Sequence, residues 1–138
     1  MLIKKEAIIL KDVETVFNIV NRVELYKNFV PYCVKSEIIL EENNFMEAKL
    51  EFNLKGLITS FTTRNEICEN EYINMKLIDG PFKYLDGKWE FKSIDKKTII
   101  YLIINYEADS KIVEYTVGKS LEKITNYLLK AFINESIK

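Results

Sequence analysis

The fold of this chain is decided near its middle by one unbroken run, Met46-Glu47-Ala48-Lys49-Leu50-Glu51-Phe52-Asn53-Leu54. Apolar and polar side chains alternate along it, which is the period of a β-strand with one buried and one wet face. An earlier run alternates in the same way and places Val34, Ser36, Ile38 and Leu40 on its inner side. The polar turn at residues 42–44 separates the two runs, so together they predict an antiparallel hairpin.

The same period of two continues beyond this hairpin. Gly56 marks the next turn, and the Gly80-Pro81 break and the polar turn at residues 95–97 bound the strands that follow. A short apolar strand, Ala7 to Leu10, precedes the hairpin. The sequence therefore predicts about seven antiparallel strands. The side chains assigned inward after Gly56 include Leu57, Thr59, Phe61, Thr63, Asn65, Ile67, Ile73, Met75, Leu77, Leu85, Gly87, Trp89 and Phe91.

Helical periods occur at two places. After the first strand, Asp12 is a plausible N-cap for a short helix, and a second helical turn carries Leu25, Tyr26 and Phe29 before Pro31 ends it. From about Lys111 a period of 3.6 residues runs to near the C-terminus, roughly 25 residues or about 40 Å of helix. Its apolar stripe is Val113, Val117, Leu121, Ile124, Leu128 and Phe132. This order predicts an α+β fold in which one long helix covers the concave face of a curved sheet.

Composition narrows the function. The chain of 138 residues predicts a single domain over residues 1–138, and 20 Lys and Arg residues nearly balance 21 Asp and Glu residues. This balance argues against DNA binding, which favours a basic excess. The sequence has no histidine, which removes Ser-His-Asp and Cys-His catalysis and the commonest metal ligand. We therefore expect a protein that is not an enzyme and that holds no metal or cofactor. Its two cysteines, Cys33 and Cys68, are expected to be reduced thiols in a cytosolic compartment.

Short strings spread along nearly the whole chain carry a family resemblance. Singly they are unspecific, but their order resembles that of the ubiquinone-binding protein family within the START-like superfamily, also called the polyketide cyclase/lipid-transport, SRPBCC or helix-grip superfamily. That family includes mitochondrial coenzyme Q-binding chaperones and a bacterial ribosome-association toxin. The strings are Phe17-Asn18-Ile19-Val20-Asn21; Tyr26, Phe29, Pro31 and Cys33; Lys55-Gly56-Leu57; Phe61-Thr62-Thr63-Arg64-Asn65; Gly80-Pro81-Phe82-Lys83; Leu85, Gly87, Trp89 and Phe91; and Ala131-Phe132.

The resemblance implies a helix-grip fold, with two short helices after the first strand, around an apolar cavity. It implies non-catalytic binding of ubiquinone or a similar polyprenyl lipid in support of respiratory electron transport, with the lipid as bound ligand. The alternative that it implies is a ribosome-associated toxin or regulator that blocks subunit association. The expected partners are a hydrophobic small molecule, a membrane in transient contact, or the ribosome. The expected location is the bacterial cytoplasm, including the periphery of the inner membrane.

The alternation itself leaves open whether the inner face encloses a hollow or a filled core. In the case of a hollow, the expected ligand-binding residues are Phe17, Phe29, Tyr32, Phe52, Phe61, Thr63, Asn65, Trp89, Phe91, Val117, Leu121, Ile124 and Leu128. Thr63 and Asn65 are the polar exceptions, and they bind either a ligand carbonyl or water, or else a neighbouring strand or helix. Trp89 is either core or cavity wall, and Arg64 is expected to point outward into an ion pair. Gly118 permits a close approach of the long helix to the sheet or to a ligand.

Overall fold

The computed structural model describes residues 1–138. Its seven strands form one antiparallel sheet in the order β1-β7-β6-β5-β4-β3-β2, so β2 to β7 make a continuous meander and β1 closes the far edge against β7. This confirms the predicted sheet of about seven strands. The strands are β1 Leu2–Ile9, β2 Cys33–Glu42, β3 Phe45–Leu54, β4 Leu57–Cys68, β5 Tyr72–Asp79, β6 Phe82–Ile94 and β7 Lys97–Ala108.

Two short helices connect β1 to β2. They are α1, Val13–Asn21, and α2, Tyr26–Phe29, joined by a 3₁₀ turn at Val23–Leu25. Asp12 caps α1 as predicted, because its carboxylate accepts hydrogen bonds from the backbone N–H and the hydroxyl of Thr15. From this capped end α1 packs against β6 and β7, whereas α2 packs against the edge strand β2.

The C-terminal segment is helical from Lys111 to Ser136, in agreement with the prediction, but it is not a uniform α-helix. It begins with α3, Lys111–Val113, continues as a π-helical turn over Glu114–Gly118, and ends in α4, Lys119–Ser136. At Gly118 a Cβ atom would lie 3.0 Å from the Tyr106 hydroxyl oxygen. The glycine therefore permits the close approach to the sheet that the sequence indicated.

The core lies between the concave face of the sheet and α4. Trp89 on β6 stands opposite Ile73 on β5 and Leu102 on β7, and all three side chains are buried. The predicted stripe of the long helix meets them with Leu121, Ile124, Leu128 and Phe132, all of which are buried. The alternation along β3 and β6 and the helical stripe thus predict the part of the core that these elements form, and the structure adds the inward side chains of β7, such as Leu102.

Three residues assigned to the inner face are exposed instead. Val34 is 54% exposed and Leu40 is 40% exposed, because register shifts at residues 33–35 and 38–40 interrupt the alternation on either side of Ser36 and Ile38, which face the core as predicted. Cys33 and Ser36 hold the buried positions of that strand. Leu57 is 40% exposed because it lies at the hairpin end, paired with Leu54. The first strand is also longer than predicted, since β1 begins at Leu2 rather than Ala7.

Candidate ligand cavity

A cavity of about 60 Å³ lies within this core, lined by 19 residues of which 15 are hydrophobic. It is smaller than the roughly 150 Å³ of an engineered apolar cavity that takes up benzene. A ring-bearing ligand would therefore enter only if side chains of the wall moved. The hollow that the resemblance implied is present, and most of the inner face around it is filled core.

Part of the predicted ligand-binding set lines this cavity. The predicted residues found there are Phe61, Thr63, Asn65, Trp89, Leu121, Ile124 and Leu128. Trp89 also packs edge-on against Phe132, with ring centroids 5.5 Å apart, so it is both core and cavity wall. Ligand binding by these residues stays a prediction, whereas their convergence from β4, β6 and α4 on one space is observed.

Phe17, Phe91 and Phe52 lie outside the lining and belong to the filled core. Phe17 on α1 packs edge-on against Phe91 on β6, with ring centroids 5.2 Å apart. Phe52 is fully buried on β3 and stacks against Phe61, which does line the cavity. Alternation identified Phe52 and Phe91 as inward, but it does not tell which inward residues meet an open space.

Phe29, Tyr32 and Val117 also lie outside the lining. Phe29 borders a surface groove beside α1, and the centroid of its ring lies 6.3 Å from that of Phe132. Tyr32 is 46% exposed, with its ring 5.0 Å from that of Tyr127. Val117 lies in the π-helical turn, where it is half-buried and packs against the core without reaching the cavity. Helical periodicity assumes a uniform turn, and nothing in the pattern of residues indicates this interruption.

The remaining lining residues were not among the predicted ligand-binding set. Several of them, such as Leu50, Met75 and Leu85, were predicted to face inward. They were not predicted to bind a ligand, because the residues chosen from the sheet were mainly aromatic. Others come from the end of α1 and from α2, whose position over the sheet edge only the fold shows. They are Val20, Asn21, Val23, Tyr26, Ala48, Leu50, Ile73, Met75, Leu85, Leu102, Ile104 and Thr125.

Thr63 and Asn65 form a buried polar pair in the wall. The Thr63 hydroxyl donates a hydrogen bond to the Asn65 carbonyl oxygen, with 2.7 Å between the two oxygens. They bond to each other rather than to the helix or a neighbouring strand. Arg64 between them points to the opposite face, where it pairs with Glu47 at 2.9 Å and lies over the Phe45 ring. The outward ion pair predicted for Arg64 is therefore confirmed.

The lining offers little for proton transfer. It contains no carboxylate, amine or thiol, and its one ionisable side chain is Tyr26. The Tyr26 hydroxyl donates to the carbonyl oxygen of Val20, and burial, with smaller contributions from Cys33 and Glu24, raises the pKa of this phenol above its ordinary value. Tyr26 is thus held neutral, as a structural hydrogen-bond donor.

Neither cysteine is an activated thiol. Burial raises the pKa of Cys33 to about 11. Cys68 lies outside the core, and a hydrogen bond from its thiol to a carboxylate oxygen of Glu71, at 3.0 Å, raises its pKa as well. Both side chains are therefore thiols near neutral pH, the weakly nucleophilic form.

A curved antiparallel sheet that grips a C-terminal helix around an apolar cavity defines the helix-grip class of domains, which includes START-like lipid-binding proteins. The chain belongs to the polyketide cyclase / dehydrase and lipid transport family, whose model matches residues 10–133. This confirms the superfamily that the sequence strings indicated.

Proteins of two kinds are similar to the chain over most of its length. The ribosome association toxin RatA of Escherichia coli K12 is 30% identical over 131 residues, covering 94% of this chain and 83% of the toxin. The mitochondrial coenzyme Q-binding protein COQ10 of Dictyostelium discoideum is 34% identical over 123 residues, covering 83% of this chain and 60% of that protein. Both kinds were named by the resemblance.

Solved structures share the fold at low identity. The Zhui aromatase/cyclase from Streptomyces sp. R1128 superposes with a TM-score of 0.90 at 16% identity, over 99% of this chain and 93% of that one. A Thermus thermophilus protein superposes with a TM-score of 0.88 at 18% identity, over 99% of this chain and 97% of that one. The fold thus occurs in an enzyme as well as in binding proteins. In this chain no helix combines the length and apolar character needed to cross a membrane.

Proposed function

We propose that this chain binds ubiquinone or a similar polyprenyl lipid in the cavity, without catalysing a reaction on it, in support of respiratory electron transport. The observation that carries the proposal is the lining: apolar on nearly every side, with one buried polar pair, Thr63 and Asn65. A quinone matches this chemistry, because it is an apolar ring and tail with carbonyl oxygens as acceptors. The similarity to a coenzyme Q-binding protein supports the same ligand class.

The wall contains the side chains that would yield to such a ligand. Leu50, Phe61 and Met75 line the cavity yet are only partly buried, so we expect a ligand to displace them more readily than their fully buried neighbours. Methionine is the most adaptable of these, because its unbranched thioether chain changes rotamer at low cost. Entry of the ring is therefore expected to widen the cavity on the side of β3, β4 and β5.

Titration with a ubiquinone that bears a decyl tail tests the proposal directly. Trp89 is the chain's one tryptophan and lines the cavity, so a quinone bound there is expected to quench its fluorescence saturably. Extraction of the purified protein followed by mass spectrometry identifies any lipid that it carries. A protein that is repeatedly isolated without lipid, and whose fluorescence the quinone leaves unchanged, would refute the proposal.

A pair of matched substitutions locates the binding site. Ala48→Val places two methyl groups against the cavity, whereas Ala108→Val adds the same groups at a buried strand position outside the lining. We expect Ala48→Val to weaken quinone binding by about tenfold, roughly 1.4 kcal/mol, and Ala108→Val to leave it unchanged. Equal effects of the two variants would place the ligand elsewhere on the protein.

Ribosome association is the second candidate function, and the similarity to RatA over 94% of this chain favours it. The net charge of −1 gives it little electrostatic support, since contact with rRNA is strengthened by a basic surface. Sedimentation with purified ribosomal subunits at low salt, lost as salt is raised, is the expected result if it operates. Absence of the protein from the subunit fractions at low salt would exclude it.

A further inference from the structure

Lipid binding alone leaves the buried amide of Asn65 unexplained. The side chain is 5% exposed and lies in the cavity wall on β4, with Met46 and Met75 as its cross-strand neighbours. An amide carries two N–H donors and one carbonyl acceptor. The one hydrogen bond of this side chain uses the acceptor, which receives the Thr63 hydroxyl at 2.7 Å. The donors of its nitrogen have no acceptor within the chain.

Thr63 fixes which end of the amide is free. Because its hydroxyl has a single proton and directs it to the Asn65 oxygen, the amide is held with that oxygen engaged and its nitrogen available. The other buried hydroxyls of the lining do not compete, since Thr125 donates to the carbonyl oxygen of Glu122 at 2.7 Å and Tyr26 donates to that of Val20. Once a ligand displaces water from an apolar wall, a donor left there without an acceptor is costly, so a ligand that supplies an acceptor is favoured over one that does not.

We propose that Asn65 donates a hydrogen bond to a ring carbonyl of the ligand, and that the cavity therefore prefers an oxidised quinone to its quinol. This inference rests on the proposed function of lipid binding. A quinone carbonyl is an acceptor only and is complementary to the free N–H groups. A quinol presents a hydroxyl at the same place, whose oxygen can also accept from Asn65 but whose proton needs a second acceptor, and the oxygens of Asn65 and Thr63 already share a hydrogen bond, so pairing that proton requires the pair to readjust. Thr63 is thus a positioning residue for the amide.

The test compares three probes by calorimetry in the absence of oxygen. They are decyl-ubiquinone, its dithionite-reduced quinol, and dodecylbenzene, which has a ring and tail without an acceptor. We expect the intact chain to bind the quinone about five- to tenfold more tightly than either of the others, the factor for one net hydrogen bond. Calorimetry is chosen because the quinone and quinol differ as quenchers of Trp89.

Three variants assign the preference to the pair. Asn65→Leu removes the donors and is expected to bind all three probes with similar affinity. Thr63→Val frees the amide to rotate and is expected to lower the preference for quinone over quinol while binding both. Thr59→Val is the matched control, because Thr59 is a buried threonine on the same face of β4, outside the lining, whose hydroxyl has no partner. It is expected to retain the full preference.

The outcomes separate this inference from the function beneath it. A preference for quinone that is lost in Asn65→Leu, reduced in Thr63→Val and kept in Thr59→Val supports the inference. Equal affinity of the intact chain for quinone and quinol overturns it and leaves lipid binding intact. Failure of every probe to bind overturns the proposed function and the inference with it. A preference that Asn65→Leu retains, in a variant with a native circular dichroism spectrum, also overturns the inference.

Discussion

The terminal methyl group of Met75 occupies the space that a side chain on Gly87 would fill. The two residues are cross-strand partners on β5 and β6, and a Cβ atom on Gly87 would lie 2.8 Å from the Met75 methyl carbon. Met75 also lines the cavity. The glycine therefore sets how far the methionine withdraws from the cavity, and so how much of that space a ligand can use.

Gly87→Ala is expected to push Met75 into the cavity and weaken quinone binding by about tenfold, while unfolding stability falls by less than about 1.5 kcal/mol. The stability cost is small because the atom displaced is the end of a flexible side chain. Fluorescence titration measures the first effect and urea denaturation the second.

The double variant Gly87→Ala with Met75→Ala provides the control. Removing the methionine side chain leaves nothing for the new methyl group to displace, so binding is expected to recover to at least the level of the unaltered chain. If the double variant binds as weakly as Gly87→Ala alone, the effect does not act through Met75.

Gly118 and Tyr106 also contact each other closely, and here we expect the effect of a substitution on the free energy of unfolding to depend on the partner. Gly118→Ala gains up to about 1 kcal/mol of helix propensity but places its Cβ atom 3.0 Å from the Tyr106 hydroxyl oxygen, so we expect no net gain. In a Tyr106→Phe background that oxygen is absent. There the same substitution is expected to raise the free energy of unfolding by up to about 1 kcal/mol. Equal effects in both backgrounds, measured by urea denaturation, would show that the contact is not limiting.

Thr59 is expected to be a stabilising position. Its hydroxyl oxygen is fully buried and has no hydrogen-bond partner. Thr59→Val replaces that hydroxyl with a methyl group of similar shape, so the free energy of unfolding should rise by about 1 kcal/mol. Thr98→Val is the control, since the Thr98 hydroxyl donates to the carbonyl oxygen of Lys11 at 2.9 Å, and its removal should destabilise the protein. A loss of stability in Thr59→Val would contradict the assignment.

The buried thiol of Cys33 predicts how the stability of the protein depends on pH. The pKa of Cys33 is raised to about 11 from an ordinary value of 9.0, so the folded state holds its proton more tightly than the unfolded state. Its contribution to stability is therefore fully present below pH 9.0 and lost as pH rises through about 11. We expect the urea midpoint of the unaltered chain to fall over that window more than that of Cys33→Ala. Parallel curves for the two proteins would contradict this.

How far the sequence predicted the fold is clearest in the strands. Alternation in β3 and β6 identified the inward residues because strands buried on one face repeat every two residues. The same rule held for Ser36 and Ile38 in β2 but was wrong for Val34 and Leu40, which two register shifts leave exposed. A bulge adds one residue without changing composition, so the pattern alone does not reveal it.

The candidate site, like the fold, was predictable where it depends on local periodicity and unpredictable where it depends on tertiary packing. By itself the sequence determined that the inner face is apolar, that Thr63 and Asn65 interrupt it, and that one long helix covers it, since these follow from local periodicity. The tertiary structure decided which inward residues meet an open space, because a void depends on how side chains from β3 to β7, α1, α2 and α4 fill a shared volume. It also decided that Thr63 bonds Asn65 and leaves the amide nitrogen free, since two residues on one strand face can equally pair with a neighbouring strand or helix.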